Sequence, residues 1–183
     1  MKICVSVGHS RLKNGNYTSA DGRKYGGVIE YLYCRDFGKK YLVPALKKAG
    51  HEVDFIVCPE KEFYSFRQER EYKVQRINTK KYDLLMELHL NASDNPKANG
   101  TEVFYKTDSA KKYAVKITEA LGNVYRNRGA KQTDNLYILN DIKPIAILLE
   151  LFFCTNKEDY QKGHGKEKAT RLAKLITNAI EKV

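Results

Sequence analysis

The chain has 183 residues, 42% of them hydrophobic and 30% charged, enough to build one globular domain over residues 1–183. No apolar run is long enough to span a bilayer, so a transmembrane helix is excluded. The net charge of +11 favours polyanionic partners, but the lysines are scattered and no basic stretch is interleaved with aromatics, so nucleic acid is not an expected partner.

In chain order, Lys2 to Gly8 sets Ile3, Val5 and Val7 against Lys2, Cys4 and Ser6, the alternation of a strand. This start lacks the longer apolar region and small-residue cleavage site of a signal peptide, so synthesis in the cytoplasm is expected. His9 follows the strand. Ser10 to Gly27, rich in Gly, Ser and Asn, is at the upper limit for an unstructured loop in a compact domain, which marks it for function. A helix over Val28 to Ala49 is predicted to kink at Pro44 and to stop at Gly50, after Lys47 and Lys48. Its spacing lines up Cys34, Phe37, Tyr41 and Ala45, with Glu30 on the same face one turn earlier.

Glu52 to Cys58 reads as a second strand closed by Pro59, and Tyr64 to Asn78 as a helix. Asp83 to Leu88 is a third strand ending in His89, followed by a turn-rich loop over Asn91 to Asn99 and a strand over Thr101 to Lys106. Ser109 is the predicted N-cap of a helix closing near Gly122. After a short apolar run at Leu136 to Leu139, Pro144 opens a strand from Ile145 to Leu149 that ends in Glu150. Lys166 to Val183 has the apolar spacing of a final surface helix. The cysteines Cys4, Cys34, Cys58 and Cys154 are scattered and form no CxxC pair, as expected of free buried thiols. Strands alternating with helices predict an α/β fold, a three-layer sandwich with a twisted, mostly parallel central sheet flanked by helices.

In such sheets ligand sites form at the carboxyl ends of strands. His9, His89 and Glu150 each follow an apolar strand run, and Glu30 opens the helix that the first loop delivers. Two imidazoles and a carboxylate are a known ligand set for catalytic zinc, and a further carboxylate would serve as the base. Singly, each residue has a plainer role: either histidine could cap a strand, and Glu30 suits the first turn of a helix. Glu150, between Ile-Ala-Ile-Leu-Leu and Leu-Phe-Phe, should be partly buried, which calls for a metal, a catalytic role or a salt bridge.

The sequence resembles the zinc N-acetylmuramoyl-L-alanine amidases of the amidase-3 type. The likeness rests on Val7-Gly8-His9, Glu30, Glu87-Leu88-His89-Leu90-Asn91-Ala92, Gly100-Thr101-Glu102-Val103-Phe104-Tyr105 and Asn127-Arg128-Gly129-Ala130-Lys131. It extends through Leu136-Tyr137-Ile138-Leu139 and Pro144 to Glu150, with Phe152 and Asn156 beyond. Within that family it looks most like the catalytic domains of clostridial phage endolysins. The resemblance implies one Zn2+ per chain on His9, Glu30 and His89, with Glu150 as catalytic base. It also implies cleavage of the amide between N-acetylmuramic acid and the L-alanine of the peptidoglycan stem peptide, with lysis of the wall after release from the cytoplasm. Asn91 and Arg128 are candidate substrate contacts, and anionic wall polymers are candidate partners.

Two positions depart from the family pattern. Ser10-Arg11 follows His9 where many relatives have Gly-Gly, and Glu87 stands where many have a small residue, on the same strand face as His89. Glu87 is either a partner orienting the site or an acid with no catalytic part. Two alternatives to the amidase reading are a zinc peptidase acting within the stem peptide and a non-catalytic basic module that binds the wall.

Overall fold

A computed structural model describes residues 1–183. Strand β1 (Lys2–Val7) is buried on both faces and pairs in parallel with β2 (Glu52–Ile56) on one side and β3 (Leu84–Asn91) on the other. Burial on both faces is the usual setting of a parallel sheet covered by helices. The sheet continues through β6 (Ile145–Phe153), β4 (Thr101–Tyr105) and β5 (Asn127–Gln132), in the order β2-β1-β3-β6-β4-β5. Only the β6–β4 pairing is antiparallel, so β4 and β5 run against the other four strands. The expected mostly parallel α/β architecture is therefore present.

Ile3, Val5, Val7, Leu84, Met86, Leu88, Ile147 and Leu149 share one sheet face and join the larger core. Helices α1 (Glu30–Phe37), α2 (Val43–Lys48), α4 (Asp108–Leu121) and α7 (Lys166–Ile180) pack their apolar faces into that core. The opposite face buries a smaller apolar cluster, Cys4, Ile56, Leu85, Ala146 and Leu148 with Tyr82, under Ile77 of α3 (Phe66–Asn78) and Ile138 and Leu139 of α5 (Tyr137–Asn140). That thinner layer leaves room on its side of the sheet for Ser6, Glu87, His89 and Glu150. All four cysteines are free and buried. No helix is long and apolar enough to cross a membrane.

Several expectations need correction. The helix begins at Glu30 and is interrupted by a π-helical turn over Gly38–Leu42 that ends just before Pro44, whose missing N–H cannot extend the α-helical hydrogen-bond ladder across that point. The extra residue shifts the apolar stripe: Cys34 and Phe37 are buried as expected, but Leu42 and Leu46 take the places anticipated for Tyr41 and Ala45. Gly38 permits close approach here, because a Cβ would lie 2.6 Å from the ring of Phe55. Thr107, not Ser109, caps α4, its side chain accepting from the Ala110 N–H. The run Leu136 to Leu139 became mostly the short helix α5, while β5 and α6 (Lys157–Gly163) were not anticipated. Strand β5 is a polar edge strand without apolar alternation, which removes the usual signal.

Candidate metal centre

The loop between β1 and α1 is held by local structure. It carries a 3-10 turn at Arg23–Tyr25 and isolated bridges pairing Arg11 with Tyr17 and Asp21 with Ile29. The Val28 N–H donates to the Cys154 carbonyl at 3.3 Å, anchoring the loop to the end of β6 and delivering Glu30 to the carboxyl end of β1. His9 lies two residues beyond β1 with φ 65°, a left-handed conformation that is costly for a side chain bearing a Cβ and is tolerated where the surroundings enforce it. Gly8 completes the floor of the site: a Cβ there would collide with the imidazole of His89.

Both histidines converge on Glu30, which is 3% exposed. His89 Nδ1 lies 2.9 Å and His9 Nε2 3.4 Å from Glu30 Oε1. The same oxygen accepts the Leu90 N–H at 3.1 Å, and Oε2 accepts the Ala20 N–H at 3.1 Å. The two imidazoles meet edge to face, their centroids 4.9 Å apart. One nitrogen from each histidine and one oxygen of Glu30 all lie within 4.8 Å of one another. His9 Nδ1 is buried without a hydrogen-bond partner. This donor set suits a tetrahedral divalent cation such as zinc.

Glu150 stands opposite His89 in the β3–β6 register, and its Oε2 is also buried without a partner. His89 and Glu150 do not terminate their strands, because β3 runs on to Asn91 and β6 to Phe153. His9, Glu30, His89 and Glu150 are thus gathered in one place, but two of them project from strand interiors.

The electrostatics favour positive charge among these carboxylates. Burial penalises the charge on Glu30, yet the hydrogen bonds from His89 and then His9 outweigh it and hold this carboxyl well below the usual range. Burial opposes protonation of His89, but its hydrogen bonds to Glu30 and Glu87 prevail and raise it to about 10. In the absence of a metal, a proton on His89 therefore supplies positive charge between two carboxylates. Burial pushes Glu150 up to about 8; the charge of Glu30 reinforces this, whereas His89 opposes it.

Asn91 and Arg128 do not touch this cluster directly. Both bond to Glu102, which pairs with Glu150 across β4 and β6. Asn91 Nδ2 donates to Glu102 Oε1 at 2.5 Å, Arg128 Nε donates to Oε2 at 2.8 Å, and Lys131 also pairs with Oε2. Sequence reasoning gave Glu102 and Lys131 no role; a charged residue inside the strand Thr101–Tyr105 was the available signal. It also missed the fully buried Lys73 and Glu69 of α3, which at i,i+4 spacing in a strongly polar helix read as an ordinary surface ion pair.

Residues 3–182 match the protein family N-acetylmuramoyl-L-alanine amidase. Among solved structures, the chain is similar to the catalytic domain of the CD27L endolysin targeting Clostridia difficile, at 47% identity and a TM-score of 0.89, covering 100% of this chain and 97% of that one. It is 31% identical over 144 residues to the N-acetylmuramoyl-L-alanine amidase LytC of Bacillus subtilis, covering 74% of this chain and 27% of that protein. An uncharacterized protein of Clostridium perfringens is 26% identical over 186 residues, covering 98% of this chain and 51% of its own length. The chain thus spans about half the length of the first curated relatives it matches, 51% and 52%. With a family match running almost from end to end, the chain belongs to the N-acetylmuramoyl-L-alanine amidase family.

Proposed function

We propose that residues 1–183 act as one catalytic domain that hydrolyses the amide between N-acetylmuramic acid and the L-alanine of the peptidoglycan stem peptide, lysing the bacterial wall after release from the cytoplasm. One zinc ion per chain is held by His9, Glu30 and His89. The observation that carries this reading is the convergence of those three ligand atoms within 4.8 Å beside Glu150, whose Oε2 has no other partner. Zinc, when bound, supplies Lewis acidity toward a carbonyl oxygen and lowers the pKa of water towards neutrality.

Glu150 is the catalytic base. It removes a proton from the attacking water and returns it to the departing alanine nitrogen, a shuttle suited to a carboxyl whose proton affinity is raised by burial. Glu30 stays ionised under its hydrogen bonds and supplies negative charge to the cation. Asn91, at the carboxyl end of β3, and Arg128, at the start of β5, are both held by Glu102 and contact substrate. The net charge of +11 adds attraction to anionic wall polymers, which salt weakens.

The test is digestion of purified peptidoglycan, with identification of the newly exposed amino terminus and metal analysis of the same preparation. A free amino group on the first stem alanine, with one zinc per chain, supports the proposal. Cleavage within the stem peptide identifies a peptidase, and persistent wall binding without release of fragments identifies a binding module.

A further inference from the structure

We propose that Lys73 is a positioning residue that braces both imidazoles of the candidate metal centre from behind, through Glu87 to His89 and through Glu69, Ser10 and the Val7 carbonyl to His9. The proposal rests on the reading that His9, Glu30 and His89 hold a metal.

Lys73 is fully buried on α3, and its ammonium faces three acceptors. It donates to Glu87 Oε1 at 3.0 Å and to the Val7 carbonyl at 3.1 Å, and Glu69 Oε1 lies 3.7 Å away. Burying an ammonium with two carboxylates is an expensive way to fill a core, because well-packed apolar side chains serve stability as well or better. A role for the charge lies in what the carboxylates hold.

Glu87 is fixed at both oxygens. Oε2 accepts Ser6 Oγ at 2.7 Å, while Oε1, already bound to Lys73, lies 3.2 Å from His89 Nε2. The imidazole therefore has its Nε2 tied back and its Nδ1 directed to Glu30. An imidazole ligand held this way keeps one tautomer and one ring orientation. On the other arm, Glu69 Oε2 accepts Ser10 Oγ at 3.0 Å and Thr18 Oγ1 at 2.8 Å. His9, in its left-handed conformation, thus sits in a backbone anchored on one side at the Val7 carbonyl, two residues earlier, and on the other at the Ser10 hydroxyl. One lysine joins the arms.

The experiment compares Lys73→Met, Glu87→Gln and Ser10→Ala with the parent, reading the zinc dissociation constant by chelator competition, the visible spectrum of the cobalt-substituted protein and the melting temperature of the metal-free form. Lys73→Met is expected to weaken zinc binding about 10- to 100-fold and to alter the cobalt spectrum. In the Lys73→Met background, Glu87→Gln and Ser10→Ala should each cost less zinc affinity than they do in the parent, because the lysine that couples the two arms is gone. A folded Lys73→Met whose melting temperature falls while its zinc affinity stays within twofold of the parent overturns the proposal in favour of a purely structural lysine. Should Lys73→Met not fold, unchanged zinc affinity in both single-arm variants overturns it equally. A parent that takes up no zinc overturns the metal reading, and this proposal with it.

Discussion

His89 and Glu150 face each other across β3 and β6 on the same side of the sheet, one bound to Glu30 and Glu87, the other with a buried oxygen bound to nothing. On the proposed reading, this division of partners separates holding a cation from moving a proton. Glu150→Gln keeps the shape of the side chain and removes the proposed base. Turnover of peptidoglycan should fall by about 10²- to 10⁴-fold while zinc content remains at the parent level. His89→Ala should lose both. Parent-level activity in Glu150→Gln contradicts the assignment.

Gly8→Ala tests the floor of the site. The added methyl collides with the His89 ring, so the ring must turn away from Glu30 or the backbone must give, at a cost of about 1–3 kcal/mol. Zinc affinity and thermal stability should fall together, and isothermal zinc titration with a thermal melt shows whether they do. A variant indistinguishable from the parent would mean that the imidazole does not rest on Gly8.

The pH dependence of the metal-free protein follows from the same groups. His89 is raised from 6.5 to about 10, so its stabilising protonation is complete below pH 6.5 and is lost as pH climbs toward 10. Glu150, raised from 4.5 to about 8, acts in the same direction, favouring the fold while protonated and losing that contribution as pH rises through 8. Glu30 and Glu87 are lowered, so their contribution is present above pH 4.5 and is lost only in stronger acid. Melting temperature without metal should therefore decline between pH 6 and 9, by about 5 °C on the usual scale for a domain of this size. Added zinc displaces the imidazole proton, so its stabilising increment should grow over the same interval. A metal-free melting temperature that rises from pH 6 to 9 contradicts this.

Arg128→Ala removes a guanidinium that Glu102 holds by its Nε alone, leaving its terminal nitrogens available to substrate. The expected result is a rise in KM of about tenfold with kcat nearly unchanged, equivalent to about 1.4 kcal/mol of uniform binding. Glu102→Gln should produce a similar rise, because it loosens Asn91, Arg128 and Lys131 together. Steady-state kinetics on soluble muropeptides separates the two constants, and a change confined to kcat would move Arg128 out of the substrate-contact role.

Most of the fold was legible because its central strands are apolar runs with clear ends, and because α4 and α7 carry regular helical stripes. The polar edge strand β5 and the short α6 have neither signal. Within the site, His9, His89 and Glu150 were legible by their position after apolar runs, although β3 and β6 continue past two of them. What the sequence hid was the linkage. Ser10 and Glu87, the two departures from the family pattern, lie 77 positions apart in the chain (87 − 10), and only the folding of α3 against the sheet joins them through Lys73. Pairings between distant segments leave no trace in local periodicity.

The π turn at Gly38–Leu42 has a consequence for Glu30. One surplus residue in a helix offsets everything on one side of it by about 100° relative to the other. The two halves of this helix are thus clocked independently, the second to the packing of Leu42 and Leu46 in the core, the first to the direction of the Glu30 carboxylate. Deleting a single residue from the turn would remove that offset, and the packing of Leu42 and Leu46 could then no longer be kept together with the aim of Glu30 at both imidazoles.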